Sequence, residues 1–276
     1  MTTGTAIRTI TTTPMLEYDF MRTAFAASGL AAILAGTVGF FLVLRGQTFA
    51  GHALSHVGFT GATGAVLFGL SPLAGLVGFT FISGIGMGLF GEKLAERDVA
   101  IGMMLSLALG LGLLFLHFYT TGATQAAALL FGNVLGVDDS ALMTLALLSI
   151  GSLVALAAVV RPLIFASLQP ELAEARGVPV RFVSTAFLAI VGIAVAECSQ
   201  IVGVLLVFTL MVGPAAAQNL SRRVAAGALL AAALALAEAW GGLTLAFYTD
   251  WPTSFWITAL SGLVYLASLA ARFWSR

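Results

Sequence analysis

Hydrophobic residues run along this chain in long unbroken blocks, with the polar residues gathered between them. Nine such blocks can be drawn, over 22–44, 49–69, 73–91, 99–118, 140–160, 182–197, 200–220, 224–248 and 254–271. Most reach the roughly 20 apolar residues that a helix needs to cross a bilayer. In lipid every backbone N–H and C=O must be bonded within the segment, which makes helices of these blocks. They lack the two-residue alternation of an outer-membrane barrel. The pattern predicts an all-α integral membrane protein of about nine helices, forming one transmembrane domain over 21–272. The sixth block is short for a full span. It reads as a tilted or broken helix, and eight crossings are the alternative count. Residues 1–20 are polar and threonine-rich, with no short apolar run ending in a cleavage site, so the first membrane helix is expected to act as the insertion signal.

Two segments do not read as plain spans. Residues 124–137 (TQAAALLFGNVLGV) are apolar but too short to cross, and suit a re-entrant turn or an interfacial helix. Residues 162–181 form the longest internal loop. Within it Pro170 can open a helix, Glu171 and Glu174 favour its first turns, and Gly177 and Pro179 can close it. Such a short amphipathic helix calls for a partner, either a cleft on another protein or the membrane surface. Glycines cluster inside helices, at Gly58, Gly61 and Gly64 and at Gly84, Gly86 and Gly88. Small residues let membrane helices approach closely, so these positions read as packing seams.

Composition supports the membrane reading. Only 9% of the 276 residues are charged and 60% are hydrophobic, against roughly 25% charged in soluble domains. Net charge is zero, so nothing favours a nucleic-acid partner. Cys198 stands alone, which rules out an internal disulfide or a multi-cysteine metal site. The charges are not scattered. Arg45, Lys93 with Arg97, Arg161 with Arg176 and Arg181, Arg222 with Arg223, and Arg272 with Arg276 follow every second block, while the alternate loops are acidic or neutral. By the positive-inside rule the basic loops are cytoplasmic. The C-terminus then lies in the cytoplasm and the N-terminus outside, with only Arg8 and Arg22 on the opposing side.

Few residues carry chemistry. His52 and His56, four apart, share one face of the second helix. Imidazole suits zinc and other first-row divalent metals, and ionisable groups within a span often line a path. The alternative is a pair of half-buried histidines bonded to backbone carbonyls. If this helix lines a two-fold axis, two chains would present four imidazoles around one point. Glu238 sits among alanines and leucines of the eighth block, where it is a structural partner or a pore residue. Glu197 at the end of the sixth block reads as solvated, His117 as an interfacial anchor, and Asn133, Asp138 and Asp139 as outer loop residues. No G-x-x-x-x-G-K-[ST] phosphate loop and no H-E-x-x-H motif occurs, so the chain is expected neither to hydrolyse ATP nor to act as an enzyme. A gradient-driven secondary transporter or channel using His52, His56 and Glu238 is a second reading.

Three stretches together resemble a known family. FLVLRGQTFAGHALSHVGFTGA at 41–62 is similar to the L-R-x-x-x-x-G-D-A-L-S-H-A block of permease subunits of bacterial zinc, manganese and iron ABC importers. LLFGNVLGV at 129–137 is followed by a span, and QPELAEARGVPV at 169–180 precedes IVGVLLVFTLMVGPAAAQNL at 201–220. The resemblance covers about residues 20–270. It implies a type II ABC importer fold in the bacterial cytoplasmic membrane. A homodimer of permeases would work with ATPase subunits, which bind the ATP, and an extracytoplasmic metal-binding protein, with no permanent cofactor in the permease. The coupling helix would lie at 170–177, with Pro170, Glu171, Leu172, Glu174, Ala175 and Gly177 at the ATPase. In the family's block an Asp and a His are held to line the metal path. His56 matches the second, and His52 replaces the first. Exchanging a carboxylate for an imidazole favours zinc over manganese or iron as the transported ion.

Overall fold

A computed structural model of the chain describes residues 15–89, 94–118, 130, 132–204, 206–215, 220–221 and 223–274. The described residues contain helices and no strands: α1 (Asp19–Leu44), α2 (Thr48–Leu67), α3 (Pro72–Leu89), α4 (Leu94–His117), α5 (Asp139–Leu168), α6 (Pro170–Ala175), α7 (Val180–Val202), α8 (Val207–Val212), α9 (Val224–Thr249) and α10 (Thr253–Trp274). Seven are long and apolar enough to cross a membrane, and α2, at 20 residues, is of spanning length but less apolar. Of the re-entrant segment expected at 124–137, residues 124–129 and 131 lie outside the described residues. Val134–Gly136 form one 3-10 turn.

Three expectations are corrected. The short sixth block is a full helix, α7, of 23 residues. The seventh block is the broken one. Gly203 takes φ +92°, a region open to glycine alone, and the chain reforms only the six residues of α8. The block still returns from one end of the bundle to the other, because Met211 lies against Gly39, well along α1. The loop expected over 162–181 is mostly helix. α5 runs on through Pro162 to Leu168. At about 1.5 Å per residue its 30 residues outreach a hydrocarbon layer of about 30 Å, so its last turns project beyond the apolar zone. The short helix within that stretch does form. Pro170 opens α6, and Gly177, at φ +79°, closes it with bonds to the Glu174 and Ala173 carbonyls from Gly177 and Val178.

The bundle has a core and a rim. In α1 and α7, 72% of the spanning window is buried, against 17–22% in α4, α5 and α10. α1 packs antiparallel on α9, and α7 packs on α3, which in turn packs on α2. These contacts are backbone to backbone. A Cβ added at Gly61 would meet the Gly75 carbonyl, and one at Gly75 the Gly61 carbonyl. The same holds for Gly84 against Leu188 and Gly192 against Thr80. Gly58, Gly64 and Gly88 are also tight, as their clustering predicts, whereas Gly86 has ordinary room. Asp138 caps α5, accepting from the Ala141 N–H at 2.7 Å and the Ser140 hydroxyl at 3.0 Å, which together hold its carboxyl below the usual range.

Gly61→Ala is expected to lower the thermal melting midpoint in detergent, since overpacking costs about 1–3 kcal/mol. Gly78→Ala, where nothing lies within 4 Å of the added methyl, should leave it unchanged or raised. Equal midpoints would show that the seam yields.

Candidate metal site on the second helix

The second helix starts after a turn in which Gly46 adopts φ +62°. Its first two turns put His52 and His56 on one face. The two rings meet edge to face, centroids 4.8 Å apart at 82°. Both residues are half-buried in an otherwise buried stretch of helix. The His52 carbonyl accepts the Ser55 hydroxyl at 2.7 Å, while its ring Nδ1 is buried with no hydrogen-bond partner. An unsatisfied imidazole nitrogen is a donor atom available to a metal. Phe208 of the short helix α8 closes one side, its ring centroid 5.1 Å from that of His52. Among the described residues no third His, Cys, Asp or Glu joins the pair. Two nitrogens are half of a tetrahedral shell, so the remaining donors must come from outside this set.

The other candidates lie apart from the pair. His117 is exposed at the far end of α4. Glu238 is 2% exposed, and neither carboxylate oxygen has a hydrogen-bond partner. The Ser261 hydroxyl faces it from α10 but donates to the Thr209 carbonyl at 3.2 Å. The helix α8 therefore stands between the two features, with Phe208 against His52 and the neighbouring Thr209 on the side of Glu238. Sequence reading had no signal for the Phe208 contact, which joins residues 156 positions apart.

Glu197 corrects an expectation. It is fully buried and not solvated. α7 continues past it to Val202, and the segment around Gly132 covers that end, where the Asn133 N–H donates to the Gln200 carbonyl. The Ser149 hydroxyl of α5 donates to Glu197 Oε1, while Oε2 has no partner. Trp251 and Trp274 lie at helix ends, where interface anchors are expected. Trp240, Trp251 and Trp274 are exposed, and the Trp240 indole N–H donates to the Phe25 carbonyl at 3.0 Å.

A bundle of spanning helices around a broken element, with a histidine pair near the start of α2 and a short helix after the long α5, is the architecture of a multi-pass membrane protein. The chain belongs to the ABC 3 transport family, whose model matches residues 17–272, and it is a permease subunit of a metal ABC importer, a transport subunit and not itself an enzyme. It is 29% identical over 203 residues to the manganese transport system membrane protein MntC of Listeria innocua, covering 73% of this chain and 72% of that one. It is 26% identical over 254 residues to the manganese import system permease protein ScaB of Streptococcus gordonii, covering 91% of each. PsaBC from Streptococcus pneumoniae, solved in complex with Fab, shares the fold with a TM-score of 0.82 at 24% identity over 92% of each chain.

Ser149→Ala is expected to destabilise the protein by about 1 kcal/mol, and to cost far less in a Glu197→Met background. A double-mutant cycle by reversible unfolding measures the coupling. A coupling near zero would show that the buried carboxylate takes its support elsewhere.

Proposed function

We propose that this chain forms the translocation path of an ATP-driven importer of divalent transition metals, working as a homodimer in the bacterial cytoplasmic membrane. An extracytoplasmic binding protein delivers the ion, and a cytoplasmic ATPase binds and hydrolyses the ATP. The observation that carries this reading is the adjacent His52–His56 pair, with an unsatisfied nitrogen, inside a chain of the metal-transport family. The basic helix ends, around Arg45, Arg97, Arg181 and Arg223, fit the cytoplasmic face, which puts the C-terminus inside. On that face α6 is suited to dock on the ATPase. Glu171, Leu172, Glu174 and Ala175 are all exposed on it, Pro170 opens it and Gly177 ends it.

Transport requires binding that can be undone. Two imidazoles per chain, completed to four by a second copy on a two-fold axis, make a shell suited to zinc. Phe208 packs on His52, so a shift of α8 would alter the space at the imidazoles. Glu238 is a structural or path residue behind the same helix. Zinc is the favoured cargo because both donors are borderline nitrogens. Manganese, the metal in the relatives' names, prefers a carboxylate oxygen. Protonated imidazole cannot ligate, so acid weakens loading.

The test is metal uptake into proteoliposomes holding this chain with its ATPase and binding protein. Loss of even a supporting partner of a metal ligand costs roughly 10–100-fold, so His52→Ala and His56→Ala should each lower ATP-dependent zinc uptake at least about tenfold at unchanged protein level. His52→Asp should shift competition toward manganese. Normal uptake in both alanine variants would remove the histidine site, and uptake indifferent to ATP would remove the importer reading.

A further inference from the structure

The end of the bundle that carries α6 holds a cavity of about 340 Å³. Its lining includes Arg45, Gln47, Arg97, Arg181 and Ser184 together with Glu171 and Glu174 of α6. Arg45 is bonded to three side chains there. Its Nε donates to Gln47 Oε1 at 3.2 Å, its Nη1 to the Ser167 hydroxyl at 3.1 Å and its Nη2 to the Ser184 hydroxyl at 3.0 Å. Its guanidinium also lies 5.9 Å from the Phe187 ring centroid. Every one of these partners is neutral. Burial, and after it the charge of Arg97, hold Arg45 below its ordinary pKa. Arg97 Nε is itself buried with no hydrogen-bond partner. Among the described residues no ion pair joins either arginine to Glu171 or Glu174.

Two guanidinium groups are thus held near each other, partly out of water, and the Arg97 Nε–H is unfilled. That arrangement is costly unless something anionic sits between them. A planar guanidinium fork matches the oxygens of a phosphate. The cavity lies where the apolar spans of α1, α3 and α7 end, the level at which a helix of that length meets lipid headgroups. Basic pockets between membrane helices at that depth take anionic headgroups. We propose that the Arg45–Arg97 cavity binds a phosphate oxyanion, supplied by the headgroup of an anionic phospholipid. Arg97 is the residue with the free donor, and Arg45 fixes the site to α1, α5 and α7. Glu171 and Glu174, exposed on α6, are the competing acceptors, so removing their charge should strengthen the anion's hold. This inference does not depend on which metal is carried or on the histidine site.

The test is lipid retention by the full-length permease, delipidated in detergent and titrated with phosphatidylglycerol or phosphatidylcholine under native mass spectrometry. Inorganic phosphate is titrated in parallel by thermal melting. Phosphatidylglycerol should bind in preference to phosphatidylcholine. Arg97→Gln should weaken it about tenfold, as loss of one charge-assisted hydrogen bond does, and Glu171→Gln with Glu174→Gln should tighten it. Arg97→Gln is used because Arg45 links three helices, and its unliganded melting midpoint checks the fold. Equal phosphatidylglycerol binding by wild type and Arg97→Gln, or no preference over phosphatidylcholine, would overturn the lipid site. A stabilisation by inorganic phosphate that Arg97→Gln abolishes, with no lipid preference, would overturn the lipid as source and assign the oxyanion to the solvent.

Discussion

Lipid tails are as apolar as leucine, so nothing in the membrane drives apolar helices together except close packing and the hydrogen bonds that closeness permits. The glycine contacts of α2, α3 and α7 answer that constraint. Gly61 lies on Gly75, Gly84 on Leu188 and Gly192 on Thr80, each at backbone distance. With side chains at these points the helices would stand further apart. Hydrogen bonds join other helix pairs of the bundle: Ser149 of α5 to Glu197 of α7, Thr60 of α2 to the Ala108 carbonyl of α4 at 2.5 Å, and the Cys198 thiol of α7 to the Ala31 carbonyl of α1 at 3.5 Å. The rim helices α4, α5 and α10 can present leucine, methionine and phenylalanine to lipid because the central layer is already closed.

The same central layer makes the broken segment possible. Irregular backbone at membrane depth survives where protein covers it. Val202, Gly203 and Val204 are buried, and Met211 rests on Gly39 of α1. A helix interrupted there trades regular hydrogen bonds for a short element held mainly by side-chain packing. Six residues of α8 are too few to be stable alone, so its position is set by what it touches. Those contacts are His52 through Phe208 and Ser261 through the Thr209 carbonyl. On the proposed reading, a short element packed on one of the two histidines is suited to be a moving part of a transport path.

Much of this was legible in the chain, for a physical reason. Hydrophobic block length reports the bilayer directly, so helix existence and order follow from composition. Pro170 and Gly177 report a helix start and a positive φ, so α6 was visible. Gly203 sits inside an apolar run that looks like any span, and the Gly132 segment packs against it. That break was therefore misplaced by one block. The loop expected from residue 162 was misplaced in the other direction. A helix extending past the hydrocarbon can absorb a proline, and α5 did not end there. Glu197 was misread because its partner, Ser149 of α5, comes from 48 positions earlier in the chain. The His52–His56 pair was legible from spacing alone, while the ring of Phe208 against it was not.

The donor count then constrains what the path can be. One chain brings two imidazoles and, among the described residues, no third ligating side chain. A site closed within one chain would hold its ion tightly and release it slowly. A site completed only when two chains meet is tight in one arrangement and loose in another, and changing the arrangement changes the affinity. Conversion of ATP energy into metal movement needs that difference, because a ligand with equal affinity for both states shifts nothing. The incompleteness of the histidine pair in a single chain is thus consistent with a transport site and ill suited to a structural metal, which needs a closed shell.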